Sequence, residues 1–113
     1  MGSQTLIHLF HVFIVSSFLI YVGIKRTSLN PILLKACFII GFGIVLLHSY
    51  KTYVKYSLGT SVWMNLLHVL LVGPLLLYIG YQGVKTSRKF FEVLLMLGFA
   101  SLGYHLYYLF IEP

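Results

Sequence analysis

Imidazole is almost the only reactive side chain in this chain of 113 residues, which holds five histidines, one cysteine and two carboxylates. Four of the histidines recur at one interval, since 68 − 11 = 57 and 105 − 48 = 57 for His11, His68, His48 and His105. Imidazole binds zinc, copper, iron and haem iron without help from carboxylate or thiolate. These four residues are therefore the candidate ligands for haem b or for a single transition metal ion (zinc, copper or iron). Gly41 and Gly98 each precede a histidine of this set, His48 and His105, by seven residues, two helical turns along the same face. A glycine there could admit the edge of a porphyrin, or it could let two helices approach closely. Two histidines complete one haem, so four oversupply it, and no arginine stands near them for the propionates. Lys51, Lys55 and tyrosines at headgroup depth would have to serve. One metal held by four imidazoles fits the count better.

The remaining chemistry is sparse. Asp is absent and Glu occurs only at positions 92 and 112. That excludes paired-carboxylate catalysis, metal-carboxylate hydrolysis and a Ser-His-Asp triad. Cys37 is alone, so it can form neither an internal disulfide nor a cysteine-based zinc site, and it reads as a small buried hydrophobe. The expectation is a protein that is not an enzyme, unless it acts as a redox-cofactor carrier.

The elements that must place these histidines are membrane spans. Apolar types make up 59% of the residues, charged types 9%, and the mean hydropathy is +0.94. The net charge of +6 comes from Lys and Arg in short gaps between apolar runs, as in loops beside a bilayer, and not from a basic face suited to nucleic acid. Apolar runs at about 5–24, 32–53, 62–81 and 90–110 each have the length that crosses a hydrocarbon core. Asn30 and Pro31 read as the N-cap and first residue of the second helix. Gly73-Pro74 predicts a kink or local unwinding in the third. Tyr21, Tyr50, Tyr53, Tyr78, Tyr81, Tyr107, Tyr108 and Trp63 read as interfacial belts. The expected fold is an all-α membrane protein with four transmembrane helices.

The interval of 57 governs the whole chain. Aligning 4–53 with 61–110 gives 11 identities in 50 positions, among them Tyr21/Tyr78, Gly23/Gly80, Gly41/Gly98 and Tyr50/Tyr107 as well as the histidines. The sequence therefore predicts two tandem helical hairpins, 1–56 and 57–113, related by a pseudo-twofold axis along the membrane normal and forming one four-helix bundle. His11 lies about as far into its helix as His48 lies from the end of the next, so all four histidines are expected in one layer. His8, one turn nearer the surface, matches the polar Asn65. The layer either binds a ligand, as an intramembrane ionisable residue suggests, or hydrogen-bonds helices into register, or carries protons. Lys35 aligns with Glu92; the two either pair or snorkel to the headgroups. Lys25, Arg26, Lys35, Lys85, Arg88 and Lys89 flank the hairpin turns, against Lys51 and Lys55 opposite. The positive-inside bias thus places the turns in the cytoplasm and both termini on the non-cytoplasmic side.

The run Asn65-Leu66-Leu67-His68 leading to Pro74-Leu75-Leu76-Leu77-Tyr78-Ile79-Gly80-Tyr81 is followed by Arg88-Lys89-Phe90-Phe91-Glu92, then Gly98-Phe99 and Gly103-Tyr104-His105. Over nearly its whole length the chain resembles short uncharacterised membrane proteins encoded by large DNA viruses of protists. That resemblance implies a virion or host-membrane setting and carries over no catalytic residue. Three functions follow as expectations: haem or metal binding in electron transfer or ion handling, a structural membrane component of a virion membrane or larger complex, and a histidine-gated proton or ion channel. The expected partners are the lipid bilayer and either further copies of the chain or a larger membrane complex, with no nucleic acid.

Overall fold

The computed structural model describes residues 3–111 and is a four-helix, all-α protein, with no strand among the described residues. Each helix is long and apolar enough to cross a membrane: α1 (Thr5–Ser28), α2 (Pro31–Ser57), α3 (Trp63–Lys85) and α4 (Arg88–Ile111). Each expected span lies within its helix, apart from Val62 one residue ahead of α3, and the helices extend up to four residues beyond the expected ends. Glu112 and the outermost ends of the two predicted hairpins lie outside the described residues. Helices are the economical answer here, because hydrocarbon offers no partner for a backbone N–H or C=O left open.

Local signals set the helix ends. The Asn30 side chain accepts a hydrogen bond from the Ile32 N–H at 2.8 Å, and Pro31 opens α2 where its missing N–H costs nothing. Both α1 and α3 finish in a 3₁₀ turn, at Arg26–Ser28 and Gly83–Lys85. Each turn begins at positive φ, 53° at Arg26 and 57° at Gly83.

The helices pack as two compact units, with boundaries after Arg26 and after Thr86. One unit is α1 with α4, the other α2 with α3, so each joins a helix of repeat 1–56 to a helix of repeat 57–113. The partner in space is not the partner in the repeat. In the first unit, a Cβ at Gly98 would lie 2.7 Å from Ile20 Cγ1, and one at Gly23 would lie 2.8 Å from Leu95 Cβ. In the second, a Cβ at Gly41 would lie 2.7 Å from both the Gly73 carbonyl oxygen and the Leu77 nitrogen. The pairs are antiparallel and related by the interval of 57: Gly41 and Leu77 in one unit stand where Gly98 and Ile20 stand in the other. The buried layers match too, with Leu19, Val22, Phe91 and Leu94 in one and Leu76, Ile79, Leu34 and Cys37 in the other. The opposite faces expose Phe13, Ile39, Leu70 and Met96, as lipid-facing helices do.

Candidate functional site

The histidines come together within the units. In the first, the rings of His11 on α1 and His105 on α4 stack with centroids 4.2 Å apart and planes 23° apart. In the second, His68 on α3 and His48 on α2 stack at 4.1 Å and 14°. The same backbone feature positions His11 and His68. Each opens a π-helical turn, His11–Val15 and His68–Val72, closed by an i→i+5 bond from the Ser16 N–H to the His11 carbonyl and from the Gly73 N–H to the His68 carbonyl. On a regular α-helix, residues five apart point about 140° away from each other. The wider turn takes up the extra residue and turns His11 with Ser16, and His68 with Gly73, toward one partner helix. The local unwinding expected at Gly73-Pro74 is met by a π turn that α1 has as well, without any proline.

Hydrogen bonds then fix the rings. His11 Nδ1–H donates to the Ile7 carbonyl at 2.8 Å, and His68 Nδ1–H donates to the Met64 carbonyl at 2.7 Å. A carbonyl only accepts, so Nδ1 carries the proton in both. On the partner helices, His48 Nδ1–H donates to Asn65 Oδ1 at 2.8 Å, and His105 Nδ1 faces His8 Nδ1 at 2.7 Å. His105 and Asn65 are buried, and His8, His11, His48 and His68 are half-buried. His8 and Asn65, 57 residues apart, do the same work from α1 and α3 by engaging the partner histidine one turn nearer the helix end. Their pairing could have been read from their shared polarity at equivalent positions.

The first unit has one more polar contact, which the sequence reading missed. Ser16 is fully buried and its hydroxyl donates to Ser101 Oγ at 3.0 Å. Its positions correspond to Gly73 and Ile44 in the second unit, so the repeat gave no signal, and the π turn hid that Ser16 shares a face with His11. Beyond Ser16 the buried residues of this unit are Leu19, Val22, Leu94 and Phe91, so its polar file stops in mid-span.

As stacked, neither ring pair presents both of its imidazoles edge-on to one metal ion. A ligating imidazole holds its metal close to the ring plane, at about 2.0–2.1 Å for zinc. Planes 14° or 23° apart at a centroid spacing near 4 Å leave an ion midway between the two rings well out of both ring planes. A porphyrin between them would need the gap of two axial bonds plus the macrocycle, and the stacked rings fill that space. Gly41 and Gly98 face partner-helix backbone and side chain, not a cleft for a porphyrin edge. Among the described residues, no group of three or more His, Cys, Asp or Glu side chains is arranged to hold a metal ion.

Of the remaining expectations, Tyr50 points outward at 67% exposure, in keeping with an interfacial anchor. Glu92 accepts from Arg88 Nε at 2.8 Å, an exposed pair one turn apart on α4. Cys37 is buried, as a small hydrophobe would be.

Fold and site together define a four-span, all-α membrane protein whose paired helices carry stacked, hydrogen-bonded histidines. Comparisons with protein-family models, with curated proteins and with solved structures return no match.

Proposed function

We propose that this chain is a non-catalytic integral membrane component in which the histidines are polar clasps, holding α1 against α4 and α2 against α3 in fixed register. One observation carries the reading. The two units repeat the same four-part arrangement of stacked ring, stacked ring, backbone carbonyl and polar side chain, and in each the Nδ1 atoms are committed to protein partners. In hydrocarbon, one such interhelical bond contributes about 0.6 kcal/mol on average and up to about 1.7. It also fixes depth, which apolar faces alone leave free to slide. With the clasps inside, the apolar outer faces serve lateral assembly into a larger membrane complex or a virion membrane.

The test is an absorption spectrum, oxidised and dithionite-reduced, with elemental analysis of protein purified in mild detergent after expression with haem and metals supplied. The clasp reading expects a colourless, metal-free sample in which His48→Leu lowers stability. A Soret band or stoichiometric zinc, copper or iron that disappears in His48→Ala with His105→Ala would overturn it in favour of ligand binding. Acid-activated flux in liposomes, abolished by the same pair of substitutions, would favour a channel.

A further inference from the structure

Where α2 begins and α3 finishes, the second unit holds a cavity of about 280 Å³ between the two helices. Its lining joins Lys35, Tyr81 and Gln82 to the apolar Leu34, Gly80 and Val84. We propose that this cavity is a binding site for the headgroup of one anionic phospholipid, with the Lys35 ammonium donating to the lipid phosphate. The site is separate from His48 and His68, which lie toward the opposite ends of both helices, so it neither needs the clasp reading nor fails with it.

Depth is the first argument. Lys35 is four residues inside the start of α2 and Tyr81 four residues inside the end of α3. That is about 6 Å along each helix, close to the thickness of the interfacial layer in which phosphate and glycerol groups lie. Exposed Tyr78 and Tyr81 on α3 suit the same level.

Charge is the second. The unit Thr27–Thr86 contains no Asp or Glu, so no side chain within it neutralises Lys35. The equivalent position in the first unit is Glu92, which accepts from Arg88 at 2.8 Å. One copy of the repeat therefore answers a base with an acid at this place, whereas the other sets a base on a cavity and draws its counter-charge from outside the unit. Basic pockets between membrane helices hold anionic headgroups in this way. At the rim, the Gly83 carbonyl accepts from the Thr86 N–H at 3.1 Å and the Thr86 hydroxyl at 2.7 Å, which lessens the negative edge that a helix C-terminus turns toward an anion.

Shape is the third. A Cβ at Gly80 would meet the Phe38 backbone, so the helices touch there and the cavity widens beyond that contact. Leu34 is buried at its floor, and the counterpart of Leu34 in the first unit is the larger, fully buried Phe91. The volume is at the lower end of ligand pockets, suited to a headgroup with the acyl chains left to the bilayer. A free phosphate would engage Lys35 but leave the walls of Leu34, Gly80 and Val84 without an apolar partner, and this favours the lipid.

The experiment titrates the full chain, purified and delipidated in mild detergent, with phosphatidylglycerol, phosphatidylcholine or inorganic phosphate, and counts bound molecules by native mass spectrometry. Wild type is compared with Lys35→Glu and Leu34→Phe, which copy Glu92 and Phe91 into the second unit, and with Lys55→Glu, the same charge change near the other end of α2. The expected result is one phosphatidylglycerol held per chain in preference to phosphatidylcholine. Lys35→Glu and Leu34→Phe should each weaken it about tenfold or more, and Lys55→Glu by less than about twofold. Phosphatidylglycerol held equally by wild type and Lys35→Glu overturns the proposal. An equal loss in Lys55→Glu also overturns it, because the attraction is then diffuse. Inorganic phosphate that binds as tightly as phosphatidylglycerol assigns the site to a free anion, and phosphatidylcholine that binds as tightly removes the charge recognition; either result overturns it as well. Should Leu34→Phe fail to fold, Lys35→Glu decides alone, since Lys35 is exposed and its replacement leaves the buried contacts of α2 with α3 in place.

Discussion

A histidine whose Nδ1–H is tied to a carbonyl one turn back, or to an amide oxygen across a helix interface, is held in both tautomer and orientation. The second unit shows the cost of undoing this. Asn65 is buried and accepts from His48, so Asn65→Leu puts an apolar side chain against that ring N–H and should destabilise by about 1–2 kcal/mol. The double variant with His48→Leu should cost less than the sum of the two singles, because an unmatched polar group is worse than an apolar pair; strictly additive costs in a denaturant titration would refute the bond. A second residue effect lies in the backbone. Arg26 adopts φ 53° and ψ −133°, a region natural to glycine, and the equivalent residue in α3 is Gly83 at φ 57°. Arg26→Gly should therefore relieve strain and raise stability by about 1 kcal/mol. No gain in the unfolding midpoint would mean that contacts of the Arg26 side chain offset the strain.

At the level of elements, the glycines separate close packing from open surface. A methyl group at Gly41 meets backbone atoms of α3 at 2.7 Å, and backbone cannot rotate aside, so Gly41→Ala should cost about 1–3 kcal/mol by forcing α2 and α3 apart. Gly43 sits two residues along the same helix with nothing within 4 Å of a built Cβ, and its counterpart in the repeat is already Ala100. Gly43→Ala should stabilise by up to about 1 kcal/mol through helix propensity. Equal effects at the two positions, measured by unfolding in micelles, would contradict the packing described for the second unit. These elements also show what the sequence could and could not reveal. Apolar run lengths and the Asn30-Pro31 cap were legible because each is a local property. Which helix packs on which was not: hydropathy labels a face as apolar without naming its partner, and α1 reaches α4 across the full length of the chain. The π turns were hidden for a related reason. A regular period of 3.6 residues puts Ser16 away from His11, and only the observed i→i+5 bond brings them to one side. The glycine spacing at 23, 41, 80 and 98 held the pairing in coded form, since each glycine is where a partner helix comes nearest.

For the whole molecule, the open quantity with a physical handle is which side of the membrane the turns occupy. The basic residues divide six to two, with Lys25, Arg26, Lys35, Lys85, Arg88 and Lys89 near the α1–α2 and α3–α4 turns and Lys51 and Lys55 near the α2–α3 connection. Charge bias acts on short connections and counts Lys and Arg with little regard for acids, so the Arg88–Glu92 pair does not cancel the preference. The turns should therefore be cytoplasmic. In a Cys37→Ser background, cysteines introduced by Thr27→Cys and Ser87→Cys should react with a membrane-impermeant maleimide only from the cytoplasmic face of sealed vesicles. Gly59→Cys, in an exposed loop with no neighbour within 4 Å of a built Cβ, should react only from the other face. The converse labelling pattern would invert the topology and move His8 and Asn65 to the cytoplasmic end of the spans.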